Sequence, residues 1–135
     1  MEILIDTNVF IDMFQKREPF MNFASEVIAR CVRGQNTGYV SAHSLSDMFY
    51  ILRKDFSSGE RKEVVKFVCT YFTVISEHKE DFLAAADNDS SPDMEDGLQR
   101  QCAKVCHLDY IVTRNVKDFA SSPVSAITPS DFLLL

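Results

Sequence analysis

Short apolar runs of strand type alternate along this chain with longer segments whose apolar residues recur at helical spacing. The strand-type runs are EILI, TGYVSA, FTVI, DYIVT and VSAI. The clearest helical stripe stops at Gly34, a typical helix end, and contains Phe23, Ala24, Val27, Ile28, Cys31 and Val32. Strands separated by helices form covered parallel sheets, so the alternation predicts an α/β fold, a three-layer α/β/α sandwich with a central parallel sheet.

Further helices are expected in four places. They are HSLSDMFYILRK, a segment from about Arg61 to Tyr71, residues 78–87, and PDMEDGLQRQCAKVCHL. The polar stretch DNDSS before the last of these has the length of a loop rather than of a domain linker. The pattern therefore predicts one continuous domain over residues 1–135.

Length and composition agree with a single domain. A chain of 135 residues with 46% hydrophobic residues is able to bury a full core. No stretch approaches the roughly 18–20 consecutive apolar residues of a membrane span, and the first residues lack the pattern of a signal peptide. We therefore expect a cytoplasmic protein without a membrane partner.

The cysteines and histidines argue against two kinds of metal or disulfide chemistry. Cys31, Cys69, Cys102 and Cys106 include no CxxC pair, so neither a disulfide framework nor a zinc ribbon is indicated, and all four are expected as reduced core thiols. The three histidines show no HxH or HExxH spacing, which disfavours zinc hydrolysis. The chain also lacks a glycine-rich phosphate loop and a nucleophile elbow.

The formal net charge of −6 disfavours an extended nucleic-acid-binding surface, which normally needs a basic face. A small polyanion site built around a metal remains compatible with this charge. Acids gathered around a divalent ion count fully in the formal charge, although the ion neutralises part of it locally.

Polar side chains follow two of the predicted strands. Asp6 comes directly after ILI, and Thr113 and Asn115 follow DYIV. Because ligands of parallel sheets bind outside the carboxyl ends of the strands, we expect these residues at one edge of the sheet.

The stretch SSPDMEDGLQR brings more acids to the same edge. Ser91 is a good N-cap and Pro92 a good first helical residue, which places Asp93, Glu95 and Asp96 in the first turns of a helix. Acids at this position also stabilise a helix by complementing its dipole, and for Asp93 and Glu95 both explanations stay open.

Asp96 is placed differently from the two acids before it. It lies near the start of the apolar face of its helix, so its carboxylate is expected to point across the sheet edge toward Asp6. Two approaching carboxylates repel each other unless a positive charge lies between them, and a divalent metal ion is the simplest candidate. Asp47 and Asp118 are weaker candidates, since a lone helical acid is usually solvated and Asp118 is able to cap a turn. Asp12 is expected at the surface.

Together, four segments of the chain resemble PIN-domain proteins, and more narrowly the bacterial PilT N-terminus-like group related to VapC toxins. The segments are ILIDTNVFID, the acid in the helix after the second strand, DMEDGLQRQCAKVCHLDYIVTRNVKDF and ITPSDFL. The resemblance covers nearly the whole chain. It implies a Mg²⁺- or Mn²⁺-dependent ribonuclease with an acidic pocket at the carboxyl edge of a parallel sheet.

Specific roles follow from the resemblance. Asp6 and Asp96 match the metal ligands of the family. Asp47 stands where the family usually has Glu, and Asn115 where many members have Asp, with Asp118 three residues further on as a substitute. The residues expected to support the pocket are Thr7, Asn8, Asp93 and Thr113.

The resemblance also implies partners. RNA is the expected substrate, with Arg114 and Lys117 as the nearest basic groups to hold it. A cognate antitoxin protein is expected, as is a homodimer formed through apolar helical surface around Phe49, Tyr50, Phe67 and Tyr71.

Two other functions remain open at this point. The departures at Asp47 and Asn115 are compatible with a PIN fold that has weak or lost nuclease activity and binds RNA or protein instead. An α/β phosphatase or phosphotransfer enzyme with Asp6 as nucleophile is a third alternative. That class would be favoured by a DxD motif, whereas this chain has DTN.

Overall fold

A computed structural model describes residues 1–88 and 93–135. The strands are β1 Glu2–Ile5, β2 Thr37–Ser41, β3 Thr73–Ile75, β4 Tyr110–Val112 and β5 Ser125–Ile127. The α-helices are α1 Thr7–Phe14, α2 Met21–Val32, α3 Ala42–Ile51, α4 Ser58–Tyr71, α5 Lys79–Ala86, α6 Met94–Val105 and α7 Pro129–Phe132, with short 3₁₀ segments at Leu52–Lys54 and Val116–Phe119. The described residues contain no helix that is long and apolar enough to cross a bilayer.

The five strands form one parallel sheet in the order β3-β2-β1-β4-β5. All five predicted strands are therefore present, and the predicted three-layer α/β/α fold is confirmed. Because β1 is the central strand, its carboxyl end lies between those of β2 and β4.

The side chains of β1 divide between two hydrophobic layers, as the period of two in a strand requires. Ile3 and Ile5 are fully buried in the larger layer, which includes side chains of α1 to α4 and of α7. Leu4 is fully buried on the opposite face, where it packs with Cys102 of α6 and Ile111 of β4. Burial on both faces explains why the β1 sequence is continuously apolar rather than alternating.

Helices α5 and α6 pack closely on that second face. A Cβ atom at Gly97 would lie 3.1 Å from the Cβ of Ala85, so the absence of a side chain at residue 97 lets the two helices approach. The first residue of α6 is Met94, and Asp93 is its N-cap, accepting hydrogen bonds from the backbone N–H groups of Glu95 and Asp96. Asp93 therefore precedes the helix instead of lying in its first turn. The predicted cap at Ser91 and first turn at Pro92 lie outside the described residues.

Helix α1 was not predicted from the sequence. Its eight residues TNVFIDMF make little more than two turns, a stretch too short for a helical period to be recognised. The prediction of Asp12 as a surface acid is wrong, because this α1 residue has no exposed side-chain surface.

The cysteine prediction is correct only in part. Cys31 and Cys102 are buried in the two hydrophobic layers, Cys106 is half-buried and Cys69 is exposed. Cys69 lies on α4, where Val68 is the buried neighbour.

Candidate active site

Asp6 occupies the carboxyl end of the central strand and is almost fully buried, with 7% of its surface exposed. Its Oδ1 accepts hydrogen bonds from the backbone N–H of Thr7 at 2.8 Å and from Nε2 of Gln99 at 3.1 Å. Its Oδ2 accepts from Oγ1 of Thr113 at 2.7 Å and from Nδ2 of Asn8 at 3.1 Å. Burial nevertheless raises the pKa of Asp6, with the hydrogen bonds from Thr113, Thr7 and Gln99 acting in the opposite direction.

A buried polar network extends from Asp6 to the start of α3. Nε2 of Gln99 also donates to Oγ of Ser44 at 3.0 Å, and Ser44 accepts a second hydrogen bond from Oγ1 of Thr7 at 2.8 Å. Ser44 and Ser41 are joined through their hydroxyls at 2.8 Å. The network connects Asp6 with four elements of the fold, α1, β2, α3 and α6.

In front of Asp6 lies an open cavity of about 280 Å³ with several carboxylates in its wall. Its lining residues are Asp6, Thr7, Asn8, Ile11, Arg17, Ile51, Asp93, Glu95, Asp96, Asn115 and Asp118. We refer to it as the acidic cavity. It is formed where parallel strands end and helices begin, the usual ligand site in such sheets.

Asp96 is half-buried in the wall of the acidic cavity. The pKa of its carboxyl is raised to about 7, first by partial burial and then by the negative charges of Asp93, Asp6 and Asp118, while Arg100 acts in the opposite direction. A carboxyl whose pKa is raised by neighbouring negative charges is being repelled by them. A cation placed among them would remove that repulsion.

Glu95 and Asp47 form a second pair of acids at the cavity. A hydrogen bond between their side chains is the main cause that raises the pKa of Glu95 to about 7, followed by partial burial and the charges of Asp47, Asp93 and Asp6. Glu95 lines the acidic cavity, whereas Asp47 is not among its lining residues. Asp47 is thus connected to the cavity through Glu95. Glu95 also lies at the start of α6, where an acid stabilises a helix by complementing its dipole.

The donor set fits a hard divalent cation. The acids of the cavity offer only oxygen ligands, which Mg²⁺ and Mn²⁺ prefer, and their mutual repulsion favours a positive partner. The side chain of Asn8 lines the cavity, and its Nδ2 lies 3.5 Å from a second acceptor, Oγ1 of Thr113. This amide would therefore keep a hydrogen bond if Oδ2 of Asp6 bound an ion instead. Within residues 1–88 and 93–135, no three His, Cys, Asp or Glu side chains stand close enough together to hold a metal as they are.

The remaining predicted residues lie behind or beside this cavity. Thr113 is fully buried behind Asp6, and its Oγ1 accepts a hydrogen bond from the backbone N–H of Asn115 at 3.0 Å. Asn115 and Asp118 are exposed residues of the cavity wall. Lys117 is exposed on the 3₁₀ segment between them and stays a predicted RNA contact.

Arg114 has intramolecular partners in addition to any role with RNA. Its Nε lies 2.7 Å from Oδ2 of the buried Asp12, an ion pair that links the strand-end loop to α1. Its guanidinium carbon lies 4.4 Å from the ring centroid of Phe20. Burial raises the pKa of Asp12, while the positive charges of Arg114 and, more weakly, Arg17 oppose that shift. Since 26% of the Arg114 side chain is exposed, one side of it still faces outward.

Gln99 and Ser44 are site residues that the sequence did not reveal. Gln99 is 1% exposed and belongs to the buried stripe of α6 with Leu98 and Cys102. A lone amide on an otherwise apolar stripe is a usable signal, because buried polar groups need hydrogen-bond partners. Ser44 gives no comparable signal, since serine is common at helix starts.

Comparison with known proteins places this architecture in a family. A sequence profile of the PIN domain matches residues 2–117, so the chain belongs to the PIN domain family. The predicted family resemblance is thereby confirmed. No curated protein sequence matches this chain significantly.

Solved structures show the same fold at low sequence identity. VapBC2 from Rickettsia felis, bound to a DNA fragment from the promoter, is similar with a TM-score of 0.69 and 14% identity, over 95% of this chain and 98% of that chain. A toxin–antitoxin complex from Klebsiella pneumoniae gives 0.68 and 21%, over 94% and 97% of the two chains. DNA-bound VapBC from Salmonella typhimurium gives 0.69 and 16%, over 96% and 98%.

Proposed function

We propose that this protein is a metal-dependent endoribonuclease of the VapC type that hydrolyses RNA phosphodiester bonds. The observation that carries the proposal is the meeting of Asp6 and Asp96 in one cavity, where the charge of Asp6 contributes to a pKa of about 7 at Asp96. These two acids lie 90 residues apart in sequence, on β1 and α6, and a structural core alone gives no reason to bring them together.

Asp6 and Asp96 are the residues that would hold Mg²⁺ or Mn²⁺. Such an ion, when bound, makes a coordinated water more acidic and stabilises negative charge on a phosphate. Asn115 and Asp118, which line the same cavity, are proposed to orient water, and Asp47 is proposed to act with Glu95.

The protein's own hydrogen bonds preset the site for this task. Thr113, Gln99 and the backbone of Thr7 fix the rotation of the Asp6 carboxylate, and Asp93 fixes the start of α6 and hence the position of Asp96. A preorganised carboxylate does not have to be reoriented when substrate arrives. Arg17 lines the same cavity, and together with Lys117 it offers positive charge to the RNA backbone.

The proposed biological role is that of the toxin in a bacterial toxin–antitoxin pair, acting in the cytoplasm. Its support is the similarity of this fold to chains from toxin–antitoxin complexes, with TM-scores of 0.68 and 0.69. A cognate antitoxin is the corresponding partner. A homodimer through α3 and α4 is also proposed, because Tyr50 and Tyr71 expose 62% and 46% of their surface there.

Substitution of the two metal-site acids tests the nuclease proposal. Asp6→Asn and Asp96→Asn should each lower Mg²⁺- or Mn²⁺-dependent cleavage of single-stranded RNA by more than the roughly 10- to 100-fold typical of losing a supporting residue. Asp87→Asn is the matched control, since Asp87 is an exposed acid at the end of α5, away from the cavity. Equal cleavage by the parent and either cavity variant would exclude the assignment.

A second candidate function is an RNA- or protein-binding module with weak or lost nuclease activity. It is favoured by the position of Asp47, a shorter acid than the family's glutamate that is not among the residues lining the cavity. The same experiment separates the two functions. Metal-independent RNA binding without cleavage by the parent protein would support the binding module.

A further inference from the structure

A small pocket with aromatic walls lies next to the acidic cavity. Its volume is about 120 Å³, and it is lined by Phe20, Phe23, Arg114, Thr128, Pro129 and Ser130. We call it the aromatic pocket. Phe20 and Phe23 expose 38% and 45% of their surface, although Phe23 belongs to the apolar stripe of α2 in the sequence.

Residues adjacent in the chain connect the aromatic pocket with the acidic cavity. Arg114 lines the pocket and its chain neighbour Asn115 lines the cavity. On the other side, Arg17 lines the cavity, and its carbonyl accepts a hydrogen bond from the backbone N–H of Phe20 at 2.9 Å. Arg17 and Arg114 both face Asp12, at 4.0 and 2.7 Å, so each of the two cavities has one of these guanidinium groups in its lining.

We propose that the aromatic pocket binds one unpaired base of the RNA next to the phosphate that is cleaved. This inference rests on the proposed nuclease function. The base stacks on the exposed ring of Phe20, and Phe23 belongs to the same aromatic wall. Oγ of Ser130, which is hydrogen-bonded to Oγ1 of Thr128 at 3.1 Å, lines the pocket as a polar group for the edge of the base. Arg114 adds a cation beside the nucleotide.

The chemistry of the pocket favours a base over a peptide segment. Its volume of about 120 Å³ lies well below the roughly 300–1,000 Å³ of sites for larger ligands, so it accommodates one flat ring system. Stacking on aromatic rings supported by arginine is a general mode of single-strand binding. A paired base does not reach such a pocket, because its faces are covered by its neighbours in the helix.

The test measures binding of a fluorescein-labelled single-stranded RNA of about 12 nucleotides by anisotropy. The full-length chain carries Asp96→Asn to prevent turnover. Phe20→Ala should weaken binding roughly 5- to 100-fold, which is the usual contribution of one stacked base. Phe20→Tyr keeps an aromatic face and should bind like the parent, whereas Phe20→Leu keeps apolar bulk only and should bind like the alanine variant.

Two controls locate the effect. Phe82→Ala on α5 removes another aromatic residue of similar exposure, 43%, and should leave RNA affinity unchanged. RNAs with a single abasic site, moved along the strand, should identify one position at which the parent and Phe20→Ala bind equally. That equality would be the signature of a direct contact between the base and the ring.

Three outcomes would overturn the pocket assignment. They are equal RNA affinity of the Phe20→Ala and Phe82→Ala proteins, parent-like binding by Phe20→Leu, and a Phe20→Ala variant that loses a protein partner while binding RNA normally. If the parent binds no single-stranded RNA at all, the proposed nuclease function fails with it. If the protein with Asp96 intact cleaves RNA and the aromatic variants bind RNA normally, the nuclease proposal stands and only the base subsite is removed.

Discussion

The side-chain amide of Gln99 donates a 3.1 Å hydrogen bond to the carboxylate of Asp6, although the two residues are 93 positions apart. The same amide nitrogen donates to Oγ of Ser44 at 3.0 Å. One buried side chain on α6 thus fixes both the acid at the end of the central strand and the start of α3. Its effect on Asp6 makes Gln99 a positioning residue rather than a metal ligand.

Gln99→Leu should therefore weaken metal binding and lower stability together. Leucine has a similar size but no donor, so Asp6 and Ser44 each lose a buried hydrogen bond, at a cost of about 1–3 kcal/mol in the free energy of unfolding. Mn²⁺ affinity, measured by calorimetry, should fall roughly 10- to 100-fold, as for other residues that orient a ligand.

Gln101→Leu is the matched control for this substitution. Gln101 lies on the same helix, and its Nε2 donates to Oδ1 of Asp81 at 3.2 Å, outside the acidic cavity. We expect a stability loss within about 1 kcal/mol and unchanged Mn²⁺ affinity. Unchanged Mn²⁺ affinity in the Gln99 variant as well would reduce Gln99 to a packing role.

The acids of the cavity should make the metal-free protein less stable as the pH rises. Asp96 has a pKa of about 7 in the folded protein against an ordinary value of 3.8, so between these values the folded state keeps a proton that the unfolded state has lost. The stabilisation is complete below the ordinary pKa and is lost as the pH rises through about 7. After allowance for solvent screening of a half-buried group, urea unfolding with EDTA should show a loss of about 1–2 kcal/mol between pH 5 and pH 8.

Substitution and metal provide the checks on this pH dependence. Asp96→Asn should flatten the profile relative to the parent, while Asp87→Asn should keep the parent's slope, because Asp87 lies outside the cavity. Saturating Mg²⁺ should also flatten the profile, since an ion bound to the carboxylates favours their ionised form. A parent and an Asp96→Asn protein with the same slope would show that repulsion in the cavity has no effect on folding.

Much of the fold was predictable because its strands are short, apolar and separated by helices. The position of the site was also predictable from the sequence. Asp6 and Thr113 each come directly after a parallel strand, and the carboxyl ends of parallel strands lie at the same edge of the sheet. Helix α1 escaped prediction because its eight residues make little more than two turns, too few to display a helical period clearly. A sequence pattern gives the period of an element only where polar and apolar residues alternate visibly.

The contacts between side chains of the site were harder to predict from the sequence. Whether an acid such as Asp12 is buried depends on a distant residue, Arg114, and no spacing rule connects two residues on α1 and after β4. Gln99 likewise reaches Asp6 only because α6 packs across β1 with that side chain inward. Side-chain direction between separate elements is set by tertiary packing, which a pattern along one element does not contain.

Removing either partner of the ion pair between Asp12 and Arg114 should destabilise the protein. Asp12→Asn or Arg114→Gln each leaves one charge without its partner, at a cost of about 3 kcal/mol, the lower end for buried pairs because Arg114 is partly exposed. The double variant should lose less stability than the sum of the losses of the two single variants, as measured by urea unfolding. Arg33→Gln, which breaks the exposed pair with Glu26, is the control and should cost less than about 1 kcal/mol. Additive losses would contradict direct pairing.

The contact between Asp47 and Glu95 makes a prediction about how the site compensates for its short acid. If the two act together, Glu95→Gln removes the carboxylate that reaches the cavity, and Mn²⁺ affinity should fall about tenfold. Adding Asp47→Glu, whose longer arm reaches further toward the cavity, should restore that affinity, and Asp47→Glu alone should keep or raise RNA cleavage.

Glu80→Gln is the matched control. Glu80 is an exposed glutamate in the first turn of α5 that only complements a helix dipole, an effect worth about 0.3–1 kcal/mol of stability. If Glu95→Gln behaves like Glu80→Gln, with unchanged Mn²⁺ affinity, Glu95 is a helix-start charge and the pocket operates without it.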